Sequence, residues 1–184
     1  LAEKAAWDFV KQQTGGSPME MAVISPGGLF GPPLGQNITG QSMSAFDQIL
    51  RGKIPLVPKF AFPTVDVRDV AKLHVQALTL PVASGKRIIV AGEEPNGMLD
   101  VVKILKSEGY KGPSTRIAPN FLLRAVALFD REAKGMLVYL GMNVSCDSSE
   151  PRKMFNWMPI PFKQSVLETA VAVKSIQDKA QRGL

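Results

Sequence analysis

The sequence predicts an α/β fold in which helices are layered on a mostly parallel sheet, and three observations predict it. Short runs of strand-forming residues alternate with longer segments of helical periodicity. The composition, 45% hydrophobic and 21% charged, lies in the range of globular chains and excludes disorder along most of the length. The 184 residues suffice for one domain with its own core, not for two complete ones.

Taken in order, Leu1, Ala2, Ala5, Ala6 and Phe9 share one face at helical spacing, so residues 1–13 form a helix that stops before Thr14-Gly15-Gly16-Ser17-Pro18. Met19 to Ser25 is an apolar run ending at Pro26 and predicts a buried strand, followed by the loop Pro26-Gly27-Gly28-Leu29-Phe30-Gly31-Pro32-Pro33. A second helix covers about Gln41 to Leu50 and is closed by Gly52. Strand character returns around Thr64, Val65 and Val67, after which Asp69 can cap a helix that runs through Leu80 to Pro81. Lys86 to Ala91 is a further strand, and Leu99–Lys106, Phe121–Glu132 and Lys163–Lys179 are the remaining helices. The last carries Val166, Ala170, Val173, Ile176 and Ala180 on one stripe. Two or three strands make a small sheet for a complete domain. No internal repeat or low-complexity tract is present.

Several function classes fall away on composition. Twenty-two Lys and Arg against sixteen Asp and Glu give a formal charge of +6, yet the basic residues are scattered pairs among acids without interleaved aromatics. That is not the surface of a nucleic-acid binder. Cys146 is the single cysteine, so an internal disulfide framework is excluded. With one histidine and one cysteine no metal constellation is expected. No apolar run approaches the roughly 18 to 20 residues of a membrane span, and the first residues carry no signal-peptide pattern. The chain begins with Leu1 on a stretch already helical in pattern, and the expectation is that the natural polypeptide starts earlier. The cytoplasm is the default compartment, with the basic balance also fitting the mitochondrial matrix.

Four stretches, in this order, resemble the carboxyl-terminal part of the extended short-chain dehydrogenase/reductases, of the NAD-dependent epimerase/dehydratase group, closest to the dihydroflavonol reductases and aldehyde reductases. Leu1 to Phe9 is similar to the helix that follows the family's catalytic Tyr-x-x-x-Lys. Ile24-Ser25-Pro26-Gly27-Gly28-Leu29-Phe30-Gly31-Pro32 resembles the loop Ile-Asn-Pro-x-x-(Val/Leu)-x-Gly-Pro beside the nicotinamide, with Ser25 in place of Asn. Val65-Asp66-Val67-Arg68-Asp69-Val70-Ala71-x-x-His74 resembles the block Val-Asp-Val-Arg-Asp-Val-Ala-x-x-His, and Lys86 to Val90 its following strand. Asn156-Trp157-Met158-Pro159 is similar to the closing Leu-Gly-Trp-x-Pro segment. The resemblance implies a Rossmann-type core with a small substrate-binding lobe. It further implies that residues 1–91 carry the end of that core with interleaved lobe segments and residues 92–184 mainly the lobe and closing helices.

Hydride chemistry of this kind needs a glycine turn at a helix N-terminus to approach the pyrophosphate, and a Tyr–Lys pair to deliver the proton. No G-x-G-x-x-G or G-x-x-G-x-x-G occurs, and Tyr110 and Tyr139 are followed four residues on by Ser114 and Asn143. No residue of the chain is therefore assigned as catalytic. By resemblance, Ser25, Pro26 and Leu29 occupy the cofactor-contacting positions of the loop, and Ser42 a position that reaches the cofactor or its phosphates. Pro26 reads equally as a strand terminator and Ser42 as a helix cap. Asp69 is expected to cap a helix, Arg68 to tie loops together, and His74 to sit on an apolar helix face as a satisfied core histidine. Lys4 reads as a solvated helix charge. Met136, Met142, Met154 and Met158 read as core or pocket lining.

The resemblance implies the substrate-side half of an NAD(P)H-dependent carbonyl reductase using NADP or NAD. Its glycine turn and Tyr-x-x-x-Lys would come from an N-terminal Rossmann half or a separate polypeptide. A first strand without that half would leave a bare sheet edge, which most proteins avoid. The competing expectation is a non-catalytic accessory or scaffold subunit built on a truncated or split version of the same fold. The first helix resembles one that builds a dimer interface, so a homodimer or larger complex is also expected.

Overall fold

The computed structural model describes residues 1–129, 134–135 and 137–182. The elements run α1 (Ala2–Lys11), β1 (Val23–Pro26), β2 (Gly28–Phe30), α2 (Gln41–Leu50), β3 (Phe62–Asp66), α3 (Val67–Thr79), β4 (Arg87–Val90), β5 (Pro95–Asn96), α4 (Met98–Ser107), α5 (Asn120–Val126), α6 (Ser149–Phe155) and α7 (Phe162–Gln181). The alternation expected from the sequence is present. The strands form two small sheets: β1 pairs in parallel with β4, and β3 lies between β2, parallel to it, and β5, antiparallel.

The bend that separates the sheets falls at Gly27, between β1 and β2. A Cβ there would sit 2.3 Å from the Pro63 carbonyl oxygen and 2.9 Å from the Ala91 Cβ, so only a residue without a side chain lets the chain pass between β3 and the end of β4. The glycine-rich segment expected to be wholly loop thus contains a strand. β1 also begins at Val23, four residues later than the apolar run suggested, because Met19 faces solvent.

Two cores hold the layers. Phe46 and Ile49 of α2, Val57, Val101, Val102 and Leu105 of α4, and Val166, Ala170 and Val173 of α7 make one. Phe30 meets Phe46 edge-on at 5.4 Å and Phe162 at 5.8 Å, which fastens β2 to this core. Val65, Val70, Leu73, Ala83, Ile88, Val90, Phe155 and Trp157 make the other, under α3. The expected stripe of α7 is correct through Val173 and then departs from the sequence reading: Gln177 is buried, Ile176 only partly so, and Ala180 is exposed. Gln177 continues the 166, 170, 173 spacing, and its Nε2 donates to the Asp47 carbonyl at 3.2 Å and to Asp47 Oδ1 at 2.9 Å. A buried amide with two acceptors is satisfied there, so polarity does not keep it out.

Three further expectations are corrected. Asp66, not Asp69, caps α3, accepting the Arg68 N–H at 2.9 Å, because the helix starts immediately after β3. His74 is exposed rather than in the core; Leu73 and Val70 take the buried face, and the ring Nδ1 lies 2.8 Å from the Val70 carbonyl one turn back. Gly40 caps α2, leaving Ser42 as the second helical residue. The helix expected over Phe121–Glu132 is found as the shorter α5, which ends at Val126 with residues 127–129 in a turn; the rest of the expected span, 130–132, lies outside the described residues, as does Met136. α1 forms as expected, but none of its residues is buried; Phe9 is 62% exposed, and an ion pair from Glu3 to Arg87 at 2.9 Å links it to β4.

Truncating Phe46 to Ala removes the ring that joins α2 to Phe30 and the α4–α7 layer. Urea denaturation is expected to show a loss of about 3 to 5 kcal/mol with an unchanged m-value.

Candidate functional site

In open α/β sheets ligands bind beyond the carboxyl ends of parallel strands. That edge is formed here by the end of β1 at Ser25 and Pro26, the turn into β2 at Gly27 and Gly28, and Leu29. Pro26 stands exposed at the last position of β1, opposite Val90 in the register, and Ser25 is half-buried opposite Ile89. Leu29 is half-buried and packs against the second core, so its side chain anchors the turn and leaves backbone on the open side. Ser42 is half-buried in the first turn of α2. Ser25 and Pro26 thus lie at the end of β1 and Leu29 in β2 just past the bend at Gly27, while Ser42 lies on the helix that follows.

What fixes this turn is a polar knot around Asp66. Its side chain has no accessible surface. Oδ1 accepts from the Arg68 backbone N–H at 2.9 Å and from Arg68 Nε at 2.8 Å. Oδ2 accepts from Arg68 Nη2 at 2.8 Å and from the Ser165 hydroxyl at 2.6 Å. This fork-to-fork geometry is the strong form of a charge-assisted pair. Arg68 also pairs with Glu168, so it does tie separate segments together, as expected from the sequence. Thr169 Oγ1 accepts the Gly31 N–H at 2.8 Å and donates to the Ser165 carbonyl at 2.6 Å, carrying the knot from α7 to the end of β2.

Gly31 is required at that point. Its φ is +124°, and a Cβ would lie 2.7 Å from Val67 Cγ1 and 2.9 Å from Asp66 Oδ1. Asp69 makes a second tie: buried in the first turn of α3, its Oδ2 accepts the Ile160 N–H at 2.8 Å and holds the segment between Trp157 and α7. Asp66, Arg68 and Asp69 therefore form a joint, with each carboxylate accounted for by a protein partner. Ser165 and Thr169, one turn apart on α7 beside Val166 and Ala170, were missed from the sequence. Their spacing was the available signal, because hydroxyls four apart beside a buried stripe can reach a neighbouring element.

Burial opposes the charge on Asp66, but the hydrogen bonds from Arg68 and Ser165 and the Arg68 charge outweigh it and hold its carboxyl below the ordinary range. The Gln164 and Arg68 hydrogen bonds lower Glu168 as well. Between the end of β3 and the Pro159–Phe162 turn lies a cavity of about 290 Å³, lined among others by Thr64, Asn96, Glu93, Arg152 and Phe162. Arg152 pairs there with Glu93 at 3.6 Å. Cys146 is half-buried beside the Gly92 carbonyl, and burial pushes its thiol up. Among the described residues no three metal-ligating side chains gather, and no helix is long and apolar enough to cross a membrane.

Two measurements test the knot. Asp66→Asn is expected to cost about 2 kcal/mol, a value reduced from that of a fully buried pair because Arg68 is 41% exposed. Because the folded Asp66 pKa is below the unfolded value of 3.8, its contribution is complete above that value and lost as the pH falls towards the folded one. Acid titration of stability should therefore be flatter below about pH 4 in the variant. Gly31→Ala should cost more than about 1 kcal/mol in the same assay.

No family model matches. An uncharacterised oxidoreductase of Saccharomyces cerevisiae is 27% identical over 184 residues, covering 97% of this chain and 50% of the relative. The NADPH-dependent methylglyoxal reductase of the same yeast is 30% identical over 113 residues, 59% of this chain and 33% of the relative. The solved structure of yeast methylglyoxal/isovaleraldehyde reductase with NADPH superposes with a TM-score of 0.69 at 23% identity, over 96% of this chain and 54% of that one. The chain thus spans about half the length of the curated relatives it matches along its full length. Its fold is that of the carboxyl-terminal part of the Rossmann-type extended short-chain dehydrogenase/reductases, and its relatives in sequence are reductases and other oxidoreductases.

Proposed function

We propose that the chain supplies the substrate-side half of an NAD(P)H-dependent carbonyl reductase and one wall of its nicotinamide site. The observation that carries this reading is the turn after β1. It lies at the carboxyl end of a parallel strand, and Ser25 and Pro26 before it and Leu29 after it resemble the nicotinamide-facing loop.

The residues fit such a group chemically. Exposed Pro26 brings a carbonyl acceptor and no N–H, and Ser25 a hydroxyl, which together suit the amide of a nicotinamide ring. Ser42, in the first turn of α2, is assigned by the resemblance to a more distant part of the cofactor or its phosphates. NADPH is preferred over NADH, since the yeast relative is an NADPH-dependent methylglyoxal reductase. When bound, the cofactor supplies a hydride to a carbonyl carbon. This chain's own residues position the ring and enclose the substrate; none of them is placed as the proton donor. The glycine turn and the Tyr-x-x-x-Lys come from a Rossmann half on the same or a second polypeptide. Residues 1–91 then complete the core with interleaved lobe segments, and residues 92–184 form mainly the substrate lobe and closing helices.

One observation favours the alternative, an accessory subunit without turnover: neither Tyr110 nor Tyr139 has a lysine four residues on. Native mass spectrometry of the protein from its source, with sequencing of whatever accompanies it, separates the two. The reductase reading expects a glycine turn and a Tyr–Lys pair in the same assembly, and NADPH bound to it. A chain of 19.9 kDa that arrives alone and binds no nicotinamide would favour the accessory role. In a cofactor-binding assembly, Ser42→Ala should weaken NADPH by about threefold to tenfold in a fluorescence titration, the loss of one hydrogen bond.

A further inference from the structure

Next to the turn after β1 lies an aromatic surface that neither the polar knot nor the two cores use. Phe60 and Phe62 stand two residues apart on extended backbone, so their side chains share one face, and their rings stack at 5.6 Å and 12°. The segment Gly141–Val144 runs alongside: the Ala61 N–H donates to the Met142 carbonyl at 3.0 Å, and the Val144 N–H to the Ala61 carbonyl at 3.2 Å. Ala61 and Asn143 are bridge partners and so face one way, which places Met142 and Val144 on the opposite face, with Phe60 and Phe62. Tyr139 tilts against Phe60 at 6.3 Å. Tyr139, Met142 and Val144 are 51%, 43% and 46% exposed and Phe60 and Phe62 are half-buried, so the surface opens to solvent at its Tyr139–Val144 side and is backed by the two Phe rings.

This surface is continuous with the candidate site through Gly28. A Cβ on Gly28 would fall 2.2 Å from Phe62 Cε2; the ring lies against the first residue of β2, two residues after Pro26. A partly open apolar patch of this kind is a candidate binding surface. Its rigid aromatic members suit a planar apolar body, through offset or edge-on ring contacts.

We infer that Phe60, Phe62 and Tyr139, extended by Met142 and Val144, form the specificity surface for the apolar body of the carbonyl substrate, and that this body is an aromatic ring. The inference rests on the reductase reading for the identity of the reacting group, and on the geometry alone for the aromatic ligand.

The test has two arms. In the first, ligand-observed saturation-transfer NMR on this chain with benzyl alcohol as probe requires no turnover. Transfer to the ring protons is expected, reduced severalfold by Tyr139→Ala and by Phe62→Leu, which keeps the apolar contact with Gly28 and so guards against misfolding. In the second, the protein in the form its source makes is assayed with benzaldehyde and acetaldehyde. The ratio of kcat/KM for the aromatic over the aliphatic aldehyde is expected to exceed one and to fall about tenfold in either variant. Benzyl alcohol bound and sensitive to the variants, with no turnover of any aldehyde, would retire the reductase reading and leave the aromatic site standing. Turnover with a ratio unchanged by both variants, or no transfer to the probe, would overturn the aromatic site.

Discussion

Asp66 takes four hydrogen bonds with no side-chain surface left to water, and two distant parts of the chain, the β3–α3 junction and α7, meet at that carboxylate. β3 delivers it, α3 begins on it, and α7 closes over it about a hundred residues later. A buried carboxylate without partners would be strongly destabilising, so the position of every partner is constrained by the cost of leaving any one of them out. Through Ser165 and Thr169 the constraint passes to the Gly31 amide, hence to the end of β2 and the turn before it. The site edge is held from behind by polar contacts while its front stays open. Apolar packing alone would tolerate small slides of β2 along β3; directional bonds to one carboxylate do not.

The two cores divide the work around this joint. One binds α2, α4 and α7 into a layer against β2, and the other seats α3, β4 and the segment after α6. The Asp69 bond to the Ile160 amide fixes where the chain leaves the second core, by Trp157, before entering the first at Phe162 and Val166. The short sheets are therefore positioned by helices and by the polar ties, more than by their own ladders of only two to four paired residues.

Much of this was legible in the sequence because it is local. Helical spacing found α2, α4 and α7 to within a few residues, since the buried faces of α2 and α4 are apolar, α7 carries the Val166–Ala170–Val173 stripe, and their ends carry glycine or proline. The errors lie where a non-local partner decides. Gln177 is buried because Asp47, 130 residues away, offers two acceptors, and periodicity cannot show that. The cap of α3 is Asp66 and not Asp69 because both are good caps and what chooses between them is where β3 ends; Asp69 instead accepts the Ile160 amide. His74 was placed on the wrong face by a phase error of one residue, 100° of helix, which a short apolar pattern of mixed size does not resolve. Of the site, the turn itself was recognisable, but its support from Ser165 and Thr169 was not. Strand β2 was hidden in a glycine-rich segment because its pairing is made by β3 and not by its own propensity.

The contact between Gly28 and Phe62 has a consequence for how this surface can change. The two residues share one volume: the space a side chain at position 28 would occupy is filled by a ring that belongs to the neighbouring strand. Enlarging position 28 is therefore tied to shrinking position 62, and a single step at either leaves a clash or a void, whereas the paired exchange leaves the backbone of both strands in place. Within such a coupled pair, shape at the edge of the turn can be redistributed between two chain segments without disturbing the joint behind it, so variation is expected to appear there as linked substitutions.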